Sequence, residues 1–209
     1  MNEGAHYFDP TPEQVRGLWA HMTRKYGSTV VDKSGSIPMQ LAGWGLEKMG
    51  VMDAPTFLGD YTTTVGKTIY VPFEIGAPRS AGDLWSQSMI CVHEHMHVIQ
   101  FSREGTWTFA SRYLLSKSAR ALYEAEAYRC DMEMAYWRSA VMPSPKEIAK
   151  VLVHYGCSQL DIEVAEKYLM ASAQTIQWGG MVSEPSKEAI RWLQENAVSP
   201  WPTSKEPVA

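Results

Sequence analysis

The sequence contains few cysteines and no basic run. Its 209 residues include only three cysteines, Cys91, Cys130 and Cys157. Their odd number and wide spacing argue against a disulfide framework and favour a reducing compartment. The 19 basic and 23 acidic residues give a net charge of -4. Because no stretch concentrates lysine or arginine, we expect no nucleic-acid partner.

Long hydrophobic segments and targeting signals are also missing. The first residues have neither a basic region nor an apolar core, which predicts no secretory signal peptide. The longest late uncharged stretch, Tyr168 to Ser183, is too short and polar to cross a bilayer. We therefore expect a cytoplasmic protein with no membrane partner, although a virion location or non-classical export stays open. With 45% apolar residues, one domain is expected over residues 1–198, followed by an extended or mobile tail over 199–209.

An HExxH motif is present at residues 93–97. On a helix, His93 and His97 share one face and can bind one zinc ion, while Glu94 can act as a general base. On a strand, His95 would instead share a face with both other histidines. That alternative predicts an HxH metal site on a β-barrel, as in cupins, with oxygenase or binding functions.

The residues around the motif favour a helix. His93 and His97 project to one side of an apolar stripe, with Gln100 on the same side, whereas His95 lies nearly opposite and is a poor ligand candidate. The β-barrel alternative also lacks the acidic residue expected three or four positions after its second histidine. The apolar stripe has helical spacing and consists of Trp85, Met89, Val92, Met96 and Ile99.

A catalytic zinc ion needs a third protein ligand and an open fourth position. Glu124 and Glu126 compete for this role. Glu126 lies on a helix face that we predict to be solvated and charged, together with Arg129 and Glu133. Glu124 lies beside an apolar stripe and among hydrogen-bonding groups, a setting that suits a metal ligand. The pattern therefore favours Glu124, with Glu126 as the alternative.

Three segments together resemble the gluzincin metallopeptidases, and most closely the small zinc-peptidase-like domains of bacterial and phage proteins. They are the strand-like Thr68-Ile69-Tyr70-Val71-Pro72, the extended motif His93-Glu94-His95-Met96-His97-Val98-Ile99-Gln100, and Glu124-Ala125-Glu126-Ala127-Tyr128. The resemblance covers roughly residues 55 to 140. It implies an edge strand, an HExxH helix and a glutamate helix, with Glu124 as the third zinc ligand.

The sequence departs from the family pattern at Tyr128. In the wider family this position is an aspartate that supports a metal-binding histidine. A tyrosine hydroxyl can still form a hydrogen bond to a histidine or to a substrate oxyanion, but it is a weaker acceptor than a carboxylate. Asp131, three positions later, is a candidate to supply the missing charge.

The expected fold is α+β and zincin-like, predominantly helical with a small β-sheet packed on the HExxH helix. Capping and turn residues indicate most of the helix ends. The segment 39–49 is ambiguous between a short helix and a loop. The predicted helices run from Thr11 to near Gly27, through the HExxH motif to Gly105, over 107–140 as one or two helices, from Ser144 to Gly156, from Ser158 to near Gly179, and from Ser186 to Ala197; the predicted strands are 28–31, 55–59 and 67–73.

The function that we expect from these residues is zinc-dependent peptide hydrolysis on a peptide or protein substrate. Glu94 takes a proton from the attacking water and later donates it to the leaving amine. The alternative is a non-catalytic zincin-like module with a structural or interaction role, for example in a phage or secreted assembly. A tyrosine or His95 can assist at the oxyanion, and the candidate tyrosines are Tyr128, ranked first, with Tyr113, Tyr123 and Tyr155.

Overall fold

Helices make up most of the chain in the computed structural model, which describes residues 9–33 and 62–196. The strands are β1 (Thr29–Asp32), β2 (Thr63–Val65) and β3 (Thr68–Val71). A short 3-10 helix, Leu152–Tyr155, directly follows the α-helix Pro145–Val151. The helices are α1 (Pro12–Tyr26), α2 (Asp83–Glu104), α3 (Thr106–Leu115), α4 (Lys117–Ser139), α5 (Pro145–Val151), α6 (Gln159–Gln177) and α7 (Glu184–Asn196).

Local sequence explains where α1 begins and ends. The Thr11 side chain accepts the Gln14 N–H, and the Gln14 side chain accepts the Thr11 N–H, so two of the free N–H groups at the helix start are satisfied. Pro12 occupies the first turn, where its missing N–H costs nothing. The helix ends at Gly27, whose φ of 61° is left-handed and therefore suits glycine. These capping features agree with the sequence prediction.

The three described strands form a mixed sheet with β3 in the centre. β1 pairs parallel with β3, and β2 pairs antiparallel with it through a tight turn at Gly66. The expectation that Thr68–Val71 is an edge strand is therefore wrong among the described strands. Thr63–Val65, a strand that we did not predict, occupies that edge because the short turn folds it back onto β3. β2 also contacts α2, so this edge faces the HExxH helix.

Three helix pairs make the most extensive helix contacts. α2 packs against α1 on one side and against α4 on the other, and α4 also packs against α6. α1 contributes Leu18 and Met22 to the main hydrophobic cluster, which also includes Val92 and Met96 of α2. A second cluster joins α4, α5 and α6. α2 therefore lies between α1 and α4, and α4 lies between α2 and α6. These neighbours hold α2 and α4 against each other.

The prediction of a predominantly helical α+β chain with a small sheet is confirmed. Residues 107–140 form two helices, because Ser116 ends α3 and caps α4. The final helix begins at Glu184, slightly before the predicted Ser186. No described helix is long and apolar enough to cross a membrane. The predictions for 39–49, 55–59 and the tail 199–209 lie outside the described residues.

Leu18 tests the importance of the contact between α1 and α2. Its side chain is fully buried, so Leu18→Ala removes apolar contacts and leaves a cavity. We expect the free energy of unfolding to fall by about 2–5 kcal/mol. Leu115→Ala is the matched control, because Leu115 is 86% exposed and such a surface change costs about 0.5 kcal/mol or less. Urea unfolding of both variants at fixed metal content measures the difference, and equal losses would contradict this packing.

Candidate metal centre

His93, His97 and Glu124 lie together between α2 and α4. His93 Nε2 is 3.6 Å from Glu124 Oε2, and His97 Nε2 is 3.7 Å from Glu124 Oε1. The two histidines are one turn apart on α2, and Glu124 faces them from α4 because the two helices pack side by side. The possible ligand atoms of the three residues all lie within 4.8 Å of one another. This is the constellation that the sequence predicted.

The spacing and chemistry of these residues fit a zinc ion. Two ligands about 2.1 Å from a tetrahedral centre are about 3.4 Å apart, close to the observed 3.6 and 3.7 Å. Glu124 is 1% exposed, and its Oε2 atom has no hydrogen-bond partner among the described residues. A buried carboxylate oxygen without a partner is costly. A cation between Glu124 and the two imidazoles would remove this cost.

The electrostatics of the three residues are strongly coupled. Burial opposes the charged form of each group, but it is outweighed by the neighbouring charges. The pKa of His93 is raised well above its usual value by Asp131 and Glu124, and the pKa of His97 is raised by Glu124. The pKa of Glu124 is lowered by His97 and His93. The charged form of the Glu124 carboxylate is therefore stabilised by positive charge opposite it, which protonated imidazoles or a metal ion can supply.

Each histidine has a different hydrogen-bond partner at Nδ1. His93 Nδ1 lies 3.0 Å from Asp131 Oδ2, so Asp131 supplies the carboxylate that Tyr128 cannot provide. His97 Nδ1 lies 2.8 Å from Gln100 Oε1. In both rings the Nδ1 hydrogen bond leaves Nε2 pointing toward Glu124, as metal ligation requires.

Glu94 lies beside the triad and contacts the sheet. Its Oε2 atom accepts a hydrogen bond of 2.6 Å from Thr64 Oγ1 on β2, and the residue is 6% exposed. The sequence placed Glu94 next to His93 but did not identify Thr64, because the short strand that carries it was not predicted. A general base needs a fixed orientation, and this hydrogen bond fixes one of its two oxygens.

Glu126 lies outside the triad. Its carboxylate accepts hydrogen bonds from Gln100 Nε2 at 2.9 Å and from both terminal nitrogens of Arg103 at 3.0 Å. The helix face that it shares with Glu133 is not fully solvated, which corrects our expectation. Glu133 is completely buried, because the segment before α7 packs over it and the Val182 and Ser183 N–H groups donate to its Oε1.

His95 lies on the opposite side of α2, as predicted. It is fully buried, with Nδ1 2.6 Å from the Cys91 carbonyl oxygen and Nε2 3.0 Å from Ser28 Oγ. Both ring nitrogens are therefore occupied within the core. The suggestion that His95 assists at an oxyanion is wrong, because the body of the helix separates its ring from the triad.

Three tyrosines surround the triad. Tyr113 on α3 donates a 2.5 Å hydrogen bond to Glu124 Oε1. The Tyr128 ring packs edge-on against His93, with centroids 5.0 Å apart. The Tyr128 and Tyr155 hydroxyl oxygens are 3.2 Å apart. Tyr123 turns away and donates to Glu104. The sequence ranked Tyr128 first among the four tyrosines but could not place any of their hydroxyl groups, because three different elements bring Tyr113, Tyr128 and Tyr155 together.

Comparison with protein-family models, curated proteins and solved structures finds no match to this chain. Any functional conclusion therefore depends on the residues and geometry described above.

Glu124 and Glu126 can be distinguished by metal analysis. We expect Glu124→Ala to abolish stoichiometric zinc binding, because it removes the carboxylate that faces both Nε2 atoms. Glu126→Ala should retain one zinc per chain, because Glu126 contacts Gln100 and Arg103 rather than the triad. Zinc content after equilibration with excess metal and gel filtration measures both variants. Loss of zinc in Glu126→Ala with retention in Glu124→Ala would reverse the assignment.

Proposed function

We propose that the protein is a zinc-dependent peptidase with a zincin-like arrangement of its HExxH helix, glutamate helix and sheet. The main support is the buried Glu124 carboxylate, which faces both imidazoles. Its Oε2 atom has no hydrogen-bond partner among the described residues and lies 3.6 Å from His93 Nε2, and its Oε1 atom lies 3.7 Å from His97 Nε2. His93, His97 and Glu124 would hold the ion. This set of two histidines and one glutamate is a known catalytic zinc set that leaves a position open. Zinc bound there would act as a Lewis acid toward water and the scissile carbonyl.

Glu94 is the proposed general base. It follows His93 directly and is held by Thr64 from the edge of the sheet. No other described residue binds its carboxylate by a hydrogen bond, so the second oxygen can accept a proton. Glu94 takes the proton from the attacking water and then donates it to the leaving amine nitrogen. A glutamate in this position has no role in a purely structural zinc site, which favours catalysis over the non-catalytic module.

The proposed oxyanion donor is the pair formed by Tyr128 and Tyr155. Because their hydroxyl groups lie 3.2 Å apart, one hydroxyl donates to the other, and the hydrogen of the second is not used by any residue in the described part of the chain. That hydrogen can donate to a developing oxyanion. Tyr113 is less suited to this role, because its hydrogen already binds Glu124.

Zinc binding should release protons near neutral pH. The neighbouring carboxylates raise the pKa values of His93 and His97, so metal-free protein holds protons that zinc must displace. Lowering the pH should therefore weaken zinc binding. Calorimetric titration in two buffers of different ionisation enthalpy measures the protons released. His154→Gln is the control, since His154 is exposed and its loss should not change the number; zinc binding without proton release would contradict the raised pKa values.

Glu94→Gln tests the proposed reaction. We expect hydrolysis of an unfolded protein such as casein to fall about 10²–10⁴-fold, because the amide cannot accept the water proton, while zinc content stays at the wild-type level. Glu104→Gln, on the same helix but bound to Tyr123 and Arg112, is the matched control and should keep full activity. Equal hydrolysis by wild type and Glu94→Gln would exclude Glu94 as the base. A zinc-loaded wild type without any hydrolysis would favour the non-catalytic module.

A further inference from the structure

The Gln100 side chain takes part in three hydrogen bonds near the candidate metal centre, and together they determine how its amide is oriented. The residue is fully buried. Its Oε1 atom lies 2.8 Å from His97 Nδ1, and its Nε2 atom donates to the Tyr123 carbonyl oxygen at 3.0 Å and to Glu126 Oε2 at 2.9 Å. Both hydrogens of the amide nitrogen are therefore used.

The inventory of donors and acceptors permits only this orientation. The Tyr123 carbonyl and the Glu126 carboxylate can only accept, so the NH₂ group must face them. A flipped amide would place its oxygen against these two acceptors. With the NH₂ group fixed, Oε1 must face His97, and Nδ1 of His97 must carry the hydrogen. The neutral His97 ring then has its lone pair on Nε2, the atom that faces Glu124.

We propose that Gln100 is a positioning residue for the metal centre, whose amide is locked by Glu126 and the Tyr123 carbonyl so that it selects the Nδ1–H tautomer of His97. This inference rests on the zinc-binding part of the proposed function, not on peptide hydrolysis. It also assigns a role to Glu126, the glutamate that competes with Glu124 in the sequence. Glu126 acts on the metal centre through Gln100.

Arg103 completes the chain of contacts at the surface. It binds Glu126 through both terminal nitrogens at 3.0 Å, in the bidentate geometry that holds a carboxylate in one orientation. The chain therefore runs from a half-exposed ion pair, through the buried amide, to the imidazole. His93 is supported differently, by the carboxylate of Asp131 directly. The two histidines thus obtain the same tautomer from different chemical groups.

The tautomer of His97 is measured directly by long-range ¹H–¹⁵N correlation spectra of histidine-labelled protein. The measurement is made on metal-free protein at alkaline pH, where both imidazoles are neutral, and on zinc-loaded protein. We expect His97 to carry its hydrogen on Nδ1 in both. A hydrogen on Nε2 in the metal-free protein, or zinc on Nδ1 in the loaded protein, would overturn the proposal.

Gln100→Leu tests the effect on metal affinity. We expect the zinc dissociation constant, measured by competition with a chromophoric chelator, to rise about 10–100-fold, as is typical when the partner of a metal-binding histidine is lost. Gln87→Leu is the matched control, because Gln87 is also fully buried on α2 but binds Gly76, Ala77 and Asp83. Its zinc affinity should equal that of the wild type. Unchanged affinity in a folded Gln100→Leu variant would overturn the proposal.

Glu126 variants test whether the hydrogen bond from Gln100 to Glu126 orients the Gln100 amide, without removing Gln100 itself. Glu126→Ala should weaken zinc binding by less than Gln100→Leu, and Glu126→Gln should restore most of the affinity because its amide oxygen can still accept from Gln100. These variants decide the question if Gln100→Leu does not fold. Equal affinity in wild type and Glu126→Ala, with His97 unchanged in the spectra, would contradict locking by Glu126.

The outcomes separate this inference from the proposed peptidase activity. If the wild type binds zinc but does not hydrolyse casein, the proposed peptidase activity is excluded and the proposed role of Gln100 still stands. A wild type that binds no zinc removes the metal centre, while the spectra of metal-free protein still decide whether Gln100 selects the tautomer. If the wild type hydrolyses casein and Gln100→Leu binds zinc with unchanged affinity, only the positioning role of Gln100 is excluded.

Discussion

The packing of α4 along α2 is the constraint on which the candidate centre depends. Each helix carries residues that are unfavourable alone, because a buried carboxylate and two buried imidazoles have lost their hydration. When the helices pack together, Glu124 faces His93 and His97 at 3.6 and 3.7 Å. The negative carboxylate then lies opposite two groups that can carry a positive charge. α1 on one side and α6 on the other hold this pair in place. The hydrophobic packing therefore overcomes the desolvation that would otherwise exclude these groups from the interior.

Three polar residues of the centre are held by a neighbour from another element, whereas His97 is held by Gln100 of its own helix. Thr64 from β2 binds Glu94, Tyr113 from α3 binds Glu124, and Asp131 from α4 binds His93. Such contacts fix the orientation of each group before any ligand binds, which lowers the reorganisation needed for binding or catalysis. The small sheet matters mainly through Thr64, because β2 brings that hydroxyl to the HExxH helix. Because these partners lie on β2, α3 and α4, a substitution that displaces any one of these elements would also disturb a hydrogen bond of the centre.

Much of the centre was predictable from the sequence because it obeys helical periodicity. Two histidines four residues apart must share a helix face, and the apolar stripe around them fixed which face; Gln100, three residues after His97, lay on that side as well. The choice of Glu124 over Glu126 followed from the same rule. Thr64 and the role of Tyr113 depend on contacts between elements, which periodicity does not encode. The burial of Glu133 was missed for that reason, since only tertiary packing covers its face.

The unpaired oxygen of Glu124 predicts that metal binding at the candidate centre would stabilise the folded chain. In the absence of a cation, Oε2 is buried without a hydrogen-bond partner among the described residues, a situation that costs about 1–3 kcal/mol or more for a charged group. Protonation of His93 and His97 would compensate for part of this cost, since Glu124 raises the pKa values of both. A bound cation would replace those protons and satisfy the oxygen directly. A ligand that binds only the folded chain stabilises it in proportion to the logarithm of its concentration relative to its dissociation constant. The hydrogen bonds that position the three candidate ligands would therefore also affect how much stability a bound metal adds.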